Sequence, residues 1–162
     1  MTKPRHCSFA IVLFFSFLLP VAVAQTTITV QDAWARATPP GVKVGGGYMT
    51  ILNGGNQPDV LLSVESAVAQ KTEIHKSENI GGVASMRWME DGVKIPASGE
   101  IKFAPGGLHL MFVGLKQSIT QGDLIPVTLK FEQAGNIEVL LLAGRIGSLK
   151  APDAIRVNKS VK

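Results

Sequence analysis

After residue 25 the chain alternates short β-type runs with turn-forming breaks, and this pattern limits what it can fold into. Runs such as TITVQDAWARA, GGGYMTILN and NIEVLLLAG are rich in β-branched and aromatic residues, which favour strands. The breaks between runs read NIGG, EDG, ASGE, PGG, QGD and QAG, which are typical turn sequences. No long segment keeps a helical period. The pattern predicts an all-β domain, either a β-sandwich or a small barrel.

The first 24 residues have the features of a secretory signal peptide. Lys3 and Arg5 give a positively charged start, an apolar run follows from Phe9 to Leu19, and AVA at 22–24 supplies the small residues of a cleavage site. We therefore predict cleavage after Ala24 and export of the mature chain. An uncleaved membrane anchor is the alternative, but the apolar run is short for a spanning helix. We expect no membrane insertion after cleavage.

The predicted cleavage removes the only cysteine, Cys7, so the mature chain would have no disulfide and would depend on its core. Cys7 precedes the apolar run, where a lipid-attachment cysteine would follow it. Loss of Lys3 and Arg5 leaves 14 basic against 12 acidic side chains, a net charge of +2. This mild balance and the lack of charge runs argue against a nucleic-acid partner.

The composition changes once within the mature chain. Up to Gly147 the strand-like runs continue, and they predict one domain at 25–147. The remainder, SLKAPDAIRVNKSVK, is typical of a polar C-terminal tail, at 148–162. Within the domain, GGG at 45–47 opens a strand and not a helix, so it predicts a turn or bulge and not a phosphate-binding loop.

Catalytic patterns are absent from the sequence. There is no GxSxG nucleophile motif, and the mature chain has no cysteine nucleophile. The acidic residues of the middle of the chain fall near the ends of predicted strands, where we expect them to be solvated: Glu73, Glu78, Glu90, Asp91 and Glu100. These observations predict a protein that is not an enzyme.

The stretch GGLHLMFVG at 106–114 places a histidine and a methionine two positions apart. In a strand, His109 and Met111 would share one face, while Leu110 and Phe112 would point into the core. Thioether and imidazole ligands together select Cu(I), whereas zinc prefers histidine, cysteine and carboxylate. A blue-copper electron-transfer protein would need a cysteine thiolate, and the predicted mature chain has no cysteine, which argues against that class.

A purely structural role for these residues is the alternative. A single methionine in a sandwich is usually a core filler, and a single histidine is usually a surface or hydrogen-bonded residue. Met49 lies in a strongly apolar run and is predicted to be in the core. Met86 and Met89 have opposite parity on their strand, and Met89 is the weaker ligand candidate.

Four segments resemble the periplasmic copper chaperones often called PCuAC, whose fold is a cupredoxin-like, Greek-key β-sandwich. They are AWARATPPG at 33–41, GGGYMTI at 45–51, EIH at 73–75 and PGGLHLMFVGLKQ at 105–117. The resemblance extends from about Ala33 to Leu142. The family's Cu(I) site has a histidine, ten residues, a methionine, about 21 residues, and then His-x-Met.

This spacing transfers to His75, Met86, His109 and Met111. Ten residues separate the first pair, and 22 separate Met86 from His109. The one-residue excess falls in DGVKIPASGEIKFAPGG, a turn-rich stretch that tolerates insertions. Lys76 stands where some members carry a further methionine. The tail lacks the histidines and methionines that hold Cu(II) in some members, so one Cu(I) site per chain is expected.

The resemblance implies a periplasmic Cu(I) carrier that exchanges ligands with an acceptor. That acceptor would be the CuA centre of cytochrome c oxidase, reached directly or through a thiol-bearing assembly protein of the Sco type. Two other functions stay open at the level of sequence. The protein could buffer copper without a dedicated acceptor, or it could be a binding module of β-sandwich fold that holds no metal.

Overall fold

The computed structural model describes residues 27–153, which form ten β-strands and no helix. The predicted all-β class is therefore confirmed for this part of the chain. The strands are β1 Ile28–Arg36, β2 Val44–Asn53, β3 Asp59–Glu65, β4 Ala69–Ile80, β5 Val83–Trp88, β6 Val93–Ile95, β7 Glu100–Phe103, β8 Leu108–Leu115, β9 Leu124–Phe131 and β10 Asn136–Gly144.

All ten strands belong to one continuous sheet. Its order is β5-β4-β8-β7-β2-β1-β10-β9-β3-β6, with β8 pairing with β2 as well. Near the middle, β1 pairs antiparallel with β2 and parallel with β10. At one end of the sheet β5, β4 and β8 lie side by side. A tight turn joins β4 to β5, whereas β8 comes later in the chain.

The sheet encloses a single apolar core between its two halves. Side chains that alternate toward this interior come from both ends of the strand order and pack in one buried cluster, which fits a sandwich. Met49 is 1% exposed within this cluster, as predicted. Members from the two halves include Ile74, Leu110, Phe112, Leu61, Val127 and Leu129.

The glycines at 45–47 do not form the predicted turn or bulge. They are regular strand residues of β2, with Gly45 opposite Phe112 and Gly47 opposite Leu110 on β8. Close packing explains why a glycine stands in this strand. A Cβ on Gly47 would lie 2.8 Å from a methyl carbon of Leu141, which is closer than a side chain tolerates.

β4 and β5 form a hairpin that projects from the sandwich edge. Ile80 pairs with Val83, so Gly81 and Gly82 make a two-residue turn, and their φ angles are 60° and 85°. Positive φ at both positions is the requirement of a type I′ turn, which matches the twist of the flanking strands. Every residue of β5 is exposed to solvent. The hairpin thus has one strand paired on a single side only.

The chain after β10 turns back over the sheet. Arg36 donates from Nε and Nη2 to the carbonyl oxygen of Ser148, at 3.0 and 2.7 Å. The predicted signal peptide, 1–24, lies outside the described residues, as does most of the predicted tail. Between residues 27 and 153, no helix has the length and hydropathy that crossing a bilayer requires.

Candidate metal centre

The four residues predicted as copper ligands lie on three adjacent strands and face the same side. His75 on β4 is the register partner of His109 on β8, and residues directly opposite each other in an antiparallel pair share a face. Met111 lies two positions beyond His109 and therefore shares that face. Met86 on β5 pairs with Ser77, which has the parity of His75.

Core packing fixes which face this is. Ile74 directly precedes His75, and Leu110 directly follows His109. Both apolar side chains are buried in the interior. Alternation along a strand then sends the histidines to the outer surface of the sheet. The four candidate ligands therefore lie outside the hydrophobic core, as the sequence predicts.

The two imidazoles are close neighbours. Their ring centroids are 5.9 Å apart, with the ring planes inclined by 44°. With metal–nitrogen bonds of about 2 Å, the ring centres of two histidines on one ion lie about 5–6 Å apart. The rings thus have a separation that a shared metal ion could bridge.

A backbone hydrogen bond orients His109. Its Nδ1 lies 3.0 Å from the carbonyl oxygen of Gly107, and since a carbonyl only accepts, Nδ1–H is the donor. The lone pair of the neutral ring is then on Nε2. His109 is only 9% exposed, so its ring is held by its surroundings.

A carboxylate orients His75. Its Nε2 lies 3.0 Å from Oε2 of Glu73, whose other oxygen accepts from Lys71 Nζ at 2.8 Å. Hydrogen bonds from Lys71 and then from His75 hold the pKa of Glu73 below its usual value, so the carboxylate is ionised at neutral pH. The Nδ1 of His75 is buried and has no hydrogen-bond partner among the described residues.

Met86, His109 and Met111 line one surface pocket of about 300 Å³. Met86 is 55% exposed on the edge strand, and Met111 on β8 is partly buried. Val44 and Ile146 add exposed apolar side chains to the rim. The methionine side of the candidate centre is therefore open to solvent, and the histidine side is enclosed.

Tyr48 forms a wall of the same pocket. Its phenol oxygen lies 2.7 Å from where a Cβ of Gly46 would be, and Gly46 is the register partner of Met111. Trp34 packs against the Tyr48 ring at a centroid distance of 4.5 Å, and the Arg36 guanidinium lies 5.5 Å from the ring centre. Burial raises the pKa of Tyr48, and the positive charge of Arg36 opposes that rise.

Sequence reasoning missed Glu73 and Tyr48. Glu73 was expected to be solvated near a strand end, but it lies in the middle of β4 with its side chain 19% exposed. The alternation Lys71, Glu73, His75 places all three on one strand face, and that alternation was the available indication. Nothing in the sequence alone indicated that Tyr48 would bend over Gly46.

The donor set fits a soft cation. Two imidazoles and two thioethers are the ligand types that Cu(I) prefers, and the unpartnered Nδ1 of His75 is a buried lone pair that a metal would satisfy. Across residues 27–153, no group of three or more His, Cys, Asp or Glu side chains has an arrangement that could hold a metal ion.

The sequence pattern of the LpqE-like family, described as putative lipoproteins, matches residues 28–142. The chain belongs to the LpqE-like family. One relative is the putative lipoprotein Lxx21020 of Leifsonia xyli subsp. xyli, 30% identical over 112 residues. Another is the uncharacterized protein RP573 of Rickettsia prowazekii, 28% identical over 121 residues. The matches take in 69% and 71% of this chain but only 66% and 64% of those relatives, less than two thirds of their length.

Solved structures similar to this LpqE-like chain include PCuAC domains. The copper-bound PCuAC domain from PmoF2 is 25% identical, with a TM-score of 0.60 and coverage of 73% of this chain and 92% of that domain. Apo-DR1885 from Deinococcus radiodurans is 28% identical, with a TM-score of 0.57 and coverage of 90% and 95%. Its Cu(I) form is 26% identical, with a TM-score of 0.60 and coverage of 81% and 85%.

These likenesses confirm the predicted fold. The LpqE-like chain has the all-β, cupredoxin-like sandwich of the PCuAC domains. The predicted resemblance to PCuAC proteins is confirmed as a structural and sequence similarity. Two of the similar structures contain copper, one of them as Cu(I).

Proposed function

We propose that this protein is an exported metallochaperone that carries one Cu(I) ion, bound by His75, Met86, His109 and Met111. The observation that carries the proposal is the placement of all four on one outer face of β5, β4 and β8, with the histidine rings 5.9 Å apart. Similarity to copper-bound PCuAC domains supports the same function.

The ligand types favour Cu(I) over zinc. Thioethers are soft donors that bind Cu(I) well, and zinc sites are built from histidine, cysteine and carboxylate. All four ligands would be neutral, so the centre needs no thiolate. That matters in an oxidising compartment such as the periplasm, where thiolates are lost to disulfides or oxidation.

The exposure of the pocket favours a carrier over a store. Met86 lies on the edge strand and is more than half exposed, so an acceptor's ligand could displace it without unfolding the sandwich. Copper could then move by stepwise ligand exchange, in which each copper–ligand bond that breaks is replaced by one to the acceptor and no covalent bond of the protein changes. No catalytic step is part of this function.

We place the protein in the periplasm, with the signal peptide cleaved after Ala24. The acceptor would be the CuA centre of cytochrome c oxidase, reached directly or through a Sco-type thiol protein. The family's description as putative lipoproteins supports export. In this chain the only cysteine is Cys7, ahead of the apolar run, and we propose that the mature protein has no stable membrane insertion.

The native host provides the test of delivery. Deletion of the gene should lower cytochrome c oxidase activity during growth on limiting copper, and the wild-type gene should restore it while the His109→Ala form should not. A mutant with normal oxidase activity but raised sensitivity to added copper would contradict delivery and would indicate copper buffering instead.

The ligand set is tested by copper K-edge X-ray absorption of the anaerobically loaded protein. The expected spectrum has the low-energy edge of Cu(I), with two sulfur and two nitrogen scatterers. The double variant Met86→Leu, Met111→Leu should lose the sulfur scattering. A spectrum with nitrogen and oxygen scatterers only would contradict the proposed ligands.

A further inference from the structure

Lys71, Glu73 and His75 follow one another at every second position of β4, on its outer face. The carboxylate of Glu73 uses one oxygen for each neighbour: Oε1 accepts from Lys71 at 2.8 Å, and Oε2 lies 3.0 Å from His75 Nε2. Lys71 and His75 are therefore both hydrogen-bonded to the Glu73 carboxylate. The His75 side chain is 14% exposed, so solvent has little access to the bond.

This bond determines which nitrogen of His75 carries the proton. An ionised carboxylate can only accept hydrogen bonds, so Nε2 must be the donor. The neutral imidazole then has its lone pair on Nδ1. In the structure that atom is buried and has no hydrogen-bond partner, which costs free energy unless something occupies it.

His109 has the opposite arrangement. There Nδ1–H donates to the carbonyl oxygen of Gly107 at 3.0 Å, and the lone pair is on Nε2. Its ring lines the pocket that also contains Met86 and Met111. Each ring therefore has one nitrogen held by an acceptor and the other free to bind a metal, but the free nitrogen differs between the two.

We propose that Glu73 is a positioning residue that makes His75 a copper ligand through Nδ1, while His109 binds through Nε2. The inference rests on the proposed function, because it concerns the same copper centre. Groups that hold the second nitrogen of a metal-binding histidine fix its tautomer and ring orientation. Glu73 supplies that group here, and Lys71 keeps its carboxylate in place.

Long-range ¹H–¹⁵N correlation spectra of the histidine rings test the assignment directly. In the copper-free protein, His75 should show the Nε2–H tautomer and His109 the Nδ1–H tautomer. After anaerobic loading with Cu(I), the Nδ1 resonance of His75 should shift and its Nε2–H should remain. A His75 that carries its proton on Nδ1, or that binds copper through Nε2, would overturn the proposal.

Copper affinity of Glu73 variants tests the positioning role. Glu73→Ala removes the acceptor and should weaken Cu(I) binding by about 10- to 100-fold, the range found for groups that orient metal ligands. Glu73→Gln keeps an acceptor oxygen and should retain more of the affinity and the Nε2–H tautomer. Glu78→Ala is the matched control, because Glu78 on the same strand pairs with Lys76 and Arg87 instead.

The outcomes separate this inference from the proposed function. If the wild-type protein binds no Cu(I), the proposed function is wrong, and so is the assignment of the copper-binding nitrogen of His75. If the wild type binds Cu(I) and Glu73→Ala binds it equally tightly, only the role of Glu73 is overturned. Equal weakening by Glu73→Ala and Glu78→Ala would mean a general effect of charge on β4 and would also overturn the role.

Discussion

At the scale of single residues, strand alternation explains most of the candidate centre. The sequence predicted that His109 and Met111 would face away from Leu110 and Phe112, and the structure confirms it. Alternation requires only that the stretch be a strand with one buried face. It says nothing about χ angles, so the hydrogen bond from His75 to Glu73 could not be predicted.

Trp88 should report copper binding. It is the register partner of His75 and is 54% exposed, so an ion bound beside His75 would change its surroundings. We expect the emission of Trp88 to change in intensity as one equivalent of Cu(I) is added.

The measurement uses Trp34→Phe, in which Trp88 is the only tryptophan, and Trp88→Phe as the matched control. The change should persist in the first variant and be absent or much smaller in the second. An unchanged emission spectrum of Trp34→Phe at stoichiometric loading would contradict this placement of Trp88.

At the scale of elements, the β4–β5 hairpin carries Met86 to the other ligands. The break NIGG was predicted as a turn, and the structure confirms it at Gly81 and Gly82. The sequence could not predict that β5 would be an edge strand, because neighbours in a sheet are set by contacts distant in the chain. The position of Met86 depends on a hairpin that packs on one side only.

Gly82→Ala should weaken copper binding through the backbone alone. Gly82 has φ of 85° with open space around its Cβ position, so a methyl group meets no atom but the backbone is strained. Left-handed backbone costs an alanine about 1–2 kcal/mol, which corresponds to about a 5- to 30-fold loss of Cu(I) affinity if the hairpin opens.

Gly82→Asn is the matched control, because asparagine tolerates this conformation. Competition with a Cu(I) chelator and amide hydrogen exchange of β5 would compare the variants. Faster exchange on β5 and weaker binding are expected for the alanine variant only. Equal affinity of the alanine, asparagine and wild-type proteins would contradict a role of the turn in positioning Met86.

At the scale of the whole molecule, the sandwich supports a centre built on its surface. The repeated β-type runs and the turn-forming breaks between them predicted an all-β fold. Such strands can bury one face of each strand in a shared core. Strand order was not predictable from it, since β1 pairs in parallel with the distant β10. The predicted turn or bulge at residues 45–47 was wrong, because close packing within a strand selects glycine as turn formation does.

Asp59 should contribute to stability without affecting copper. It is buried, and its carboxylate accepts from the backbone N–H groups of Val60, Gln133 and Ala134 at 2.7–3.0 Å. Asp59→Ala would leave those donors unpaired and should lower the free energy of unfolding by more than about 2 kcal/mol.

Urea unfolding would measure the loss, with Glu65→Ala as the control. Glu65 pairs with Lys130 at the surface, so its removal should cost less than about 1 kcal/mol. The folded Asp59→Ala protein should bind Cu(I) like the wild type, because the hydrogen-bond partners of Asp59 lie at the start of β3 and in the turn after β9, and none is on β4, β5 or β8. Equal stability of the two variants would contradict this role of Asp59.

The central claim is a single Cu(I) site formed by two histidines and two methionines. Its most direct test is an anaerobic Cu(I) titration of residues 25–162 against a chromogenic Cu(I) chelator, with His109→Ala, Met111→Leu and Met49→Leu beside it. Leucine and methionine have similar volumes, so the leucine variants should keep the fold. We expect one tight equivalent in the wild type and in Met49→Leu, and weaker binding in the other two. No competition with the chelator, or equal binding in all four proteins, would contradict the claim.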